Sequence, residues 1–179
     1  MGDKDHRMDV TGHYRNLVAL GRREFLASAA PAALVRYRVR DGSGNPPRKL
    51  LRDDEETIDE VARSSGRNVR PSGPDDFEIF PLAKKPGASF PDRITIGRTA
   101  NNDIVIIDHS VSRLHAYVRS DGKSWAFADA GSKNGCWLGQ ERLEPRKERA
   151  LTSMAALRIG EVDLTFYTAP DLFSALGGT

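Results

Sequence analysis

Residues 93–135 begin Arg93-Ile94-Thr95-Ile96-Gly97-Arg98 and continue through Asn101-Asn102-Asp103-Ile104. They then pass Ser112-Arg113-Leu114-His115 and close on Gly131-Ser132-Lys133-Asn134-Gly135. Residues 93–96 alternate polar and apolar, the period of a strand buried on one face. A short apolar run at 104–107 follows the Asn-Asn-Asp turn, and residues 114–118 and 125–128 follow with Asp121-Gly122 turning between them. Working outward, residues 77–82, 137–138, 157–159 and 162–167 add further short strands, the last two joined by Gly160-Glu161. Many short strands punctuated by turn residues predict a mainly β chain: a two-sheet antiparallel sandwich with loops gathered at its two ends.

Upstream the pattern changes. Tyr14, Leu17, Val18, Gly21 and Phe25 recur at steps of three and four, which predicts a helix capped by Thr11 and ended by Pro31. Residues 35–40 alternate apolar and basic. They read as a strand with Val35, Tyr37 and Val39 inward, and with Arg36, Arg38 and Arg40 on the solvated outer face of a sheet edge. Residues 53–62 are acidic and suit a short helix with Ile58 and Val61 inward, whereas residues 64–76 carry Gly66, Pro71, Gly73 and Pro74 and read as a linker. The expected organisation is an α+β N-terminal extension over 1–63, a linker over 64–76, the sandwich over 77–169 and a tail over 170–179.

Bulk properties narrow the function. A length of 179 residues suits one ordinary domain with an appendage. Lys and Arg number 27 against 25 Asp and Glu, so the net charge of +2 argues against a nucleic-acid coat. The single cysteine, Cys136, excludes an intrachain disulfide and is compatible with a reducing cytoplasm, the expected location. The four histidines show no zinc-ligand spacing, and neither metal nor cofactor is expected. No apolar run reaches membrane-spanning length, so no membrane partner is expected. Arg22-Arg23-Glu24-Phe25-Leu26 looks like a twin-arginine export signal, but its apolar stretch is short, holds Pro31 and runs into Arg36; the helix reading is preferred.

In this order and spacing the four motifs resemble the forkhead-associated (FHA) domain, a phosphothreonine-peptide binding module. The resemblance covers roughly residues 77–169 and implies a β-sandwich whose loops at one end hold the peptide. By position it implies that Arg98 contacts the phosphate, which suits the planar donor fork and permanent charge of a guanidinium. Ser112 would donate its hydroxyl to the phosphate, Arg113 would support phosphate or peptide backbone, and Lys133 would touch the phosphothreonine. Asn134, with a donor and an acceptor, would hydrogen-bond the peptide main chain. Supporting roles fall to Gly97, giving a backbone bend, Asn102 and Asp103, shaping the following loop, His115, holding Ser112, and Gly135, completing the tight turn. Two positions depart from the family pattern: Cys136 stands where threonine is usual, and Gly139-Gln140 where a second Asn-Gly is usual. A Ser112–His115 catalytic pair is also conceivable, but no orienting acid can be assigned, and the chain is read as no enzyme.

The expected function is a phosphothreonine-dependent protein–protein interaction module, an adaptor or regulator in serine/threonine-kinase signal transduction. Its partners would be a phosphothreonine-containing protein and a serine/threonine kinase. The family also includes small bacterial proteins in which a phosphorylated threonine of an acidic N-terminal segment folds back onto the domain. Thr57, within the acidic run 53–61, resembles such a position. Roughly twenty intervening residues give a coil span of about 25 Å. The rival readings are a phosphate-independent scaffold and, less favoured, a nucleic-acid binder using the Arg36, Arg38, Arg40 strand.

Overall fold

The computed structural model describes residues 9–37 and 77–179. The chain opens with helices α1 (Val10–Leu20) and α2 (Arg22–Ser28), followed by strand β1 (Ala32–Tyr37). Next come β2 (Phe77–Pro81), β3 (Ile94–Gly97), β4 (Ile104–Val105), β5 (Ala116–Ser120) and β6 (Trp125–Asp129). The strands end with β7 (Cys136–Leu138), β8 (Glu141–Arg142), β9 (Arg149–Leu151), β10 (Ala156–Ile159) and β11 (Val162–Thr168), and helix α3 (Ala169–Ala175) follows. The first sheet has the order β2-β1-β11-β10-β7-β8 and the second β4-β3-β5-β6-β9. Pairing is antiparallel apart from β3 with β4. This is the two-sheet, mainly β sandwich that the alternating pattern predicts.

The core between the sheets takes Leu34, Ile96, Val118, Phe127, Ile159 and Phe166, all buried. A second apolar cluster lies on the other side of the first sheet. There Ala33 and Val35 of β1 meet Tyr14 and Leu17 of α1, Phe25 of α2, and Leu172 and Phe173 of α3. Phe25 stacks edge-on with Tyr14 and Phe173, with ring centroids 5.7 and 5.3 Å apart. Each such fully buried aromatic contributes roughly 1.5–3 kcal/mol through desolvation.

Three differences from the sequence reading have physical causes. Residues 32–37 form an inner strand, not an edge, because β1 hydrogen-bonds β2 on one side and β11 on the other. Both its faces are covered, so Ala32 to Val35 are all buried, whereas Tyr37 is partly exposed and its hydroxyl lies 2.9 Å from that of Tyr167. Second, the N-terminal helix is broken at Gly21, whose φ of 104° no β-carbon would favour. Its cap is Asp9, which accepts from the Gly12 amide at 3.0 Å; Thr11 lies within the helix and accepts instead from the Ile79 amide at 3.4 Å. Third, residues 170–179 are not simply a tail, since α3 folds back and buries Phe173.

Strand direction sets where function can gather. Because β3 is antiparallel to β5, and β5 to β6, Gly97, Ala116 and Asp129 all lie at one end of the second sheet. The loops at 98–103, 106–115 and 130–135 therefore emerge together.

Candidate functional site

The predicted peptide-contact residues Arg98, Ser112, Arg113, Lys133 and Asn134 lie on these three loops, and Gly97 ends β3 beside them. Arg98 is exposed, and its amide donates to the Ser112 carbonyl at 2.9 Å, tying the end of β3 to the Ser-Arg-Leu-His loop. Gly97 supports this contact in a way the sequence did not predict. It has no positive φ and makes no bend; what it supplies is room. A β-carbon there would overlap the Arg113 carbonyl oxygen and lie 2.7 Å from Asn102 Nδ2. Asn102 is buried, and its Nδ2 donates to the carbonyls of Thr99, at 2.9 Å, and Arg113, at 2.6 Å. One amide thus fastens the first loop to the second.

His115 is fully buried and links the second loop to the third. The Ser112 amide donates to its Nδ1 at 2.9 Å, so Nδ1 carries a lone pair and the ring proton sits on Nε2. Nε2 then donates to the Gly135 carbonyl at 3.0 Å. Ser112 Oγ accepts from the Lys133 amide at 3.0 Å, which leaves its own proton free to be donated outward. Asn134 Nδ2 donates to the Ser110 carbonyl at 2.7 Å, so this donor holds the loop, while Oδ1 has no partner among the described residues. Gly135 has a φ of 89°, the left-handed backbone that closes the turn.

Arg98, Arg113 and Lys133 are exposed and form no ion pair among the described residues. The Asp129 carboxylate, at the start of the third loop, is buried. It accepts from the amides of Gly131 and Ser132, at 2.6 and 2.7 Å, and from Ser132 Oγ at 2.7 Å. Burial alone would raise its pKa; the Ser132 and Gly131 hydrogen bonds outweigh that and hold it below the usual carboxylate range. Asp103 plays the matching part in the first loop. It accepts from Lys84 Nζ, the Lys85 amide, the Thr95 amide and Thr95 Oγ1, at 2.8 to 3.0 Å. Here too burial pushes the pKa up, and the hydrogen bonds from Lys84, Thr95 and Lys85 bring it below normal.

The sequence reading missed the structural work of Asp129, Ser132, Thr95 and Thr99; Asp103 it read, with Asn102, as shaping the loop after Arg98. A faint signal existed for Asp129: an aspartate two residues before Gly-Ser has the spacing of an Asx turn. Thr57, Arg38 and Arg40 lie outside the described residues. Arg36, from the same basic strand, sits 3.9 Å from Asp108.

Two chemical alternatives meet obstacles in the same geometry. A serine nucleophile needs the histidine on its oxygen, but His115 holds the Ser112 amide, and its other nitrogen holds Gly135. His115, Asp129 and Cys136 bring ligand atoms within 4.8 Å of one another, yet both imidazole nitrogens are already bonded within the protein. Burial pushes the Cys136 thiol far up, reinforced by the neighbouring Asp129, so it is held as the unreactive thiol.

The family model described as "inner membrane component of T3SS, cytoplasmic domain" matches residues 72–170. An oxoglutarate dehydrogenase inhibitor of Corynebacterium diphtheriae is 34% identical over 113 residues, spanning 62% of this chain and 77% of that protein. An FHA domain-containing protein of Arabidopsis thaliana is 33% identical over 45% of this chain and 20% of its own length. The chain belongs to the forkhead-associated family. Among solved FHA-like structures, Mycobacterium tuberculosis EmbR in complex with a low affinity phosphopeptide is 32% identical over 43% of this chain and 20% of that one, with a TM-score of 0.40. In this FHA chain no helix of the described residues is long and apolar enough to cross a membrane.

Proposed function

We propose that this FHA sandwich is a non-enzymatic phosphothreonine-peptide receptor, an adaptor or regulator in cytoplasmic serine/threonine-kinase signalling. The observation that carries the reading is the unpaired cation set around Ser112 Oγ, a hydroxyl fixed by the Lys133 amide and free to donate. A dianionic phosphate placed there would take a planar donor pair from Arg98, the Ser112 hydroxyl, and charge from Arg113 and Lys133. Asn134 Oδ1 would accept from the peptide main chain. The ring of His115 and the amide of Asn102 would keep the loops in place beforehand, so little ordering cost falls on binding.

Titration with phosphothreonine peptides, against unphosphorylated and phosphoserine versions, tests this directly. Each charge-assisted hydrogen bond is worth roughly 1.5–3 kcal/mol, so Arg98→Ala should weaken binding by at least ten-fold. Equal affinity for phosphorylated and unphosphorylated peptides would instead favour a phosphate-independent scaffold. Thr57 is proposed as an internal ligand on sequence grounds alone. After complete phosphorylation by a kinase it should compete with added peptide at an effective concentration on the order of millimolar. Unchanged peptide affinity after that treatment would remove the internal ligand.

A further inference from the structure

At the end of the sandwich opposite the three loops, the two sheets part around a cleft of about 480 Å³. Strand register fixes its place. Ile94 pairs with Val118, and Ser120 with Trp125, at the ends of β3, β5 and β6 remote from Gly97, Ala116 and Asp129. Pro31, just ahead of β1, and Leu82, just after β2, line the cleft from the first sheet. The cleft shares no residue with the loops that carry Arg98, Ser112 and Lys133.

Its walls belong to the core. Leu82 and Val118 are buried in the cluster between the sheets, and Ile94 and Trp125 pack against that cluster while only partly buried. The Trp125 ring lies against Phe166, with centroids 5.8 Å apart. Core side chains are thus left open to water at this end, and an apolar occupant would cover them. The polar lining decides the class of occupant. Lys84 Nζ donates to the Ser89 carbonyl, the Arg93 carbonyl and Asp103 Oδ2, at 2.8 to 2.9 Å, which uses all three of its protons. Arg93 Nη2 donates to Asp92 at 2.7 Å, so each lining cation already has its carboxylate. Ser120 Oγ donates to the Ser124 carbonyl at 3.0 Å and accepts from the Gly122 amide at 3.1 Å. The indole N–H of Trp125, by contrast, has no acceptor among the described residues.

We propose that this cleft is a second ligand site, separate from the phosphothreonine loops, and that it takes an uncharged, mainly apolar small molecule with a hydrogen-bond acceptor for the Trp125 indole. The volume lies within the roughly 300–1,000 Å³ of small-molecule sites, which are commonly apolar with a few convergent polar groups. A charged molecule would give up its hydration without meeting a free counter-charge. An apolar body covers Ile94 and Trp125 and completes the core at this end. The site does not depend on the phosphothreonine reading above.

The test uses the full chain and Prodan, an uncharged naphthalene dye whose ketone is a hydrogen-bond acceptor and whose emission moves to the blue out of water. The wild type should bind one dye per chain, saturably, with blue-shifted emission. Pro31 and Pro91 are exposed lining residues, so Pro31→Phe and Pro91→Phe fill the cleft with little cost to folding. Each should weaken dye binding by roughly ten-fold or more and leave phosphopeptide binding as it is. Trp125→Phe keeps an aromatic wall but removes the N–H; it should bind the dye more weakly, with emission still further to the blue because the ketone has lost its donor. The anionic dye anilinonaphthalene sulfonate should bind the wild type more weakly than Prodan does. A folded wild type that takes up no Prodan, uptake that survives both proline variants, or tighter binding of the sulfonate would each overturn the proposal.

Discussion

The helix-covered side of the first sheet and the loop rim of the second are held together by different forces. On the helical side, Tyr14, Phe25, Leu172 and Phe173 pack on Ala33 and Val35 of β1. That contact is apolar, non-directional and proportional to the area removed from water. At the rim, Asn102, Asp103, His115 and Asp129 hold three loops through directional hydrogen bonds to backbone groups. Elsewhere some cations are matched, as in Arg119 with Glu148 at 2.9 Å and Arg149 with Glu141, and others, such as Arg142 and Arg158, have no acidic partner among the described residues. At the rim Arg98, Arg113 and Lys133 are unmatched. The buried polar residues fix the loop backbone at the rim, and the helical cap buries apolar area on the far side of the first sheet.

The largest effect that would break this division lies in the cap. Phe25→Ala should destabilise the fold by about 3–5 kcal/mol, because the aromatic site cannot collapse between Tyr14 and Phe173. Thermal or urea unfolding measures the loss. Below the transition, the folded variant should bind phosphopeptide as the wild type does; a large affinity loss would mean that cap and rim are coupled.

Asn102→Ala should act the other way round. Removing the two bonds from Nδ2 costs roughly 1–3 kcal/mol, a smaller stability change, because the Thr99 carbonyl keeps the residue-102 amide and the Arg113 carbonyl keeps Thr99 Oγ1. Its effect on peptide affinity should be disproportionate, since Arg98 and Ser112 sit on the two loops it joins. Paired unfolding and binding curves for the variant separate the two contributions.

Acid titration provides a gentler probe. Asp103 and Asp129 have folded pKa values below the unfolded carboxylate value of about 3.9. Their stabilising contribution is therefore complete above that value and disappears as the pH falls through the folded one. Stability attributable to them should be constant from neutral pH down to about 5 and then decline. Asp103→Asn should be less stable at neutral pH and show a shallower acid decline. An equally steep decline would mean that the acid sensitivity lies elsewhere. The smallest effect concerns Cys136, buried with its thiol pKa raised: alkylation at neutral pH should be negligible in the folded chain and rapid in urea.

Much of the sandwich was legible because the strands from Ile94 to Thr168 alternate strongly and are separated by turn residues. β8 and β9, two and three residues long, carry too few positions to show a period. The place of β1 was hidden for another reason. Its partners are β2, reached only across residues 38–76, and β11 near the other end of the chain, and pairing over such separations leaves no local trace. Helix α3 was obscured because Leu172 and Phe173 are too few to set a helical period on their own. At the site, the exposed residues announced themselves by motif, whereas Asp129 did not. An isolated aspartate beside a strand reads as a turn residue until the amides it collects are seen. Gly97 was noticed for flexibility, but its reason is the carbonyl of Arg113 passing over it.

The most direct test of the central claim is to follow the chain's backbone amides by NMR while adding a phosphothreonine peptide. Shifts should concentrate at residues 97–102, 110–115 and 131–135 and be lost in Arg98→Ala, with the amides of α1, α2 and α3 unmoved. Shifts centred on the helical face, or the same shifts with unphosphorylated peptide, would contradict it.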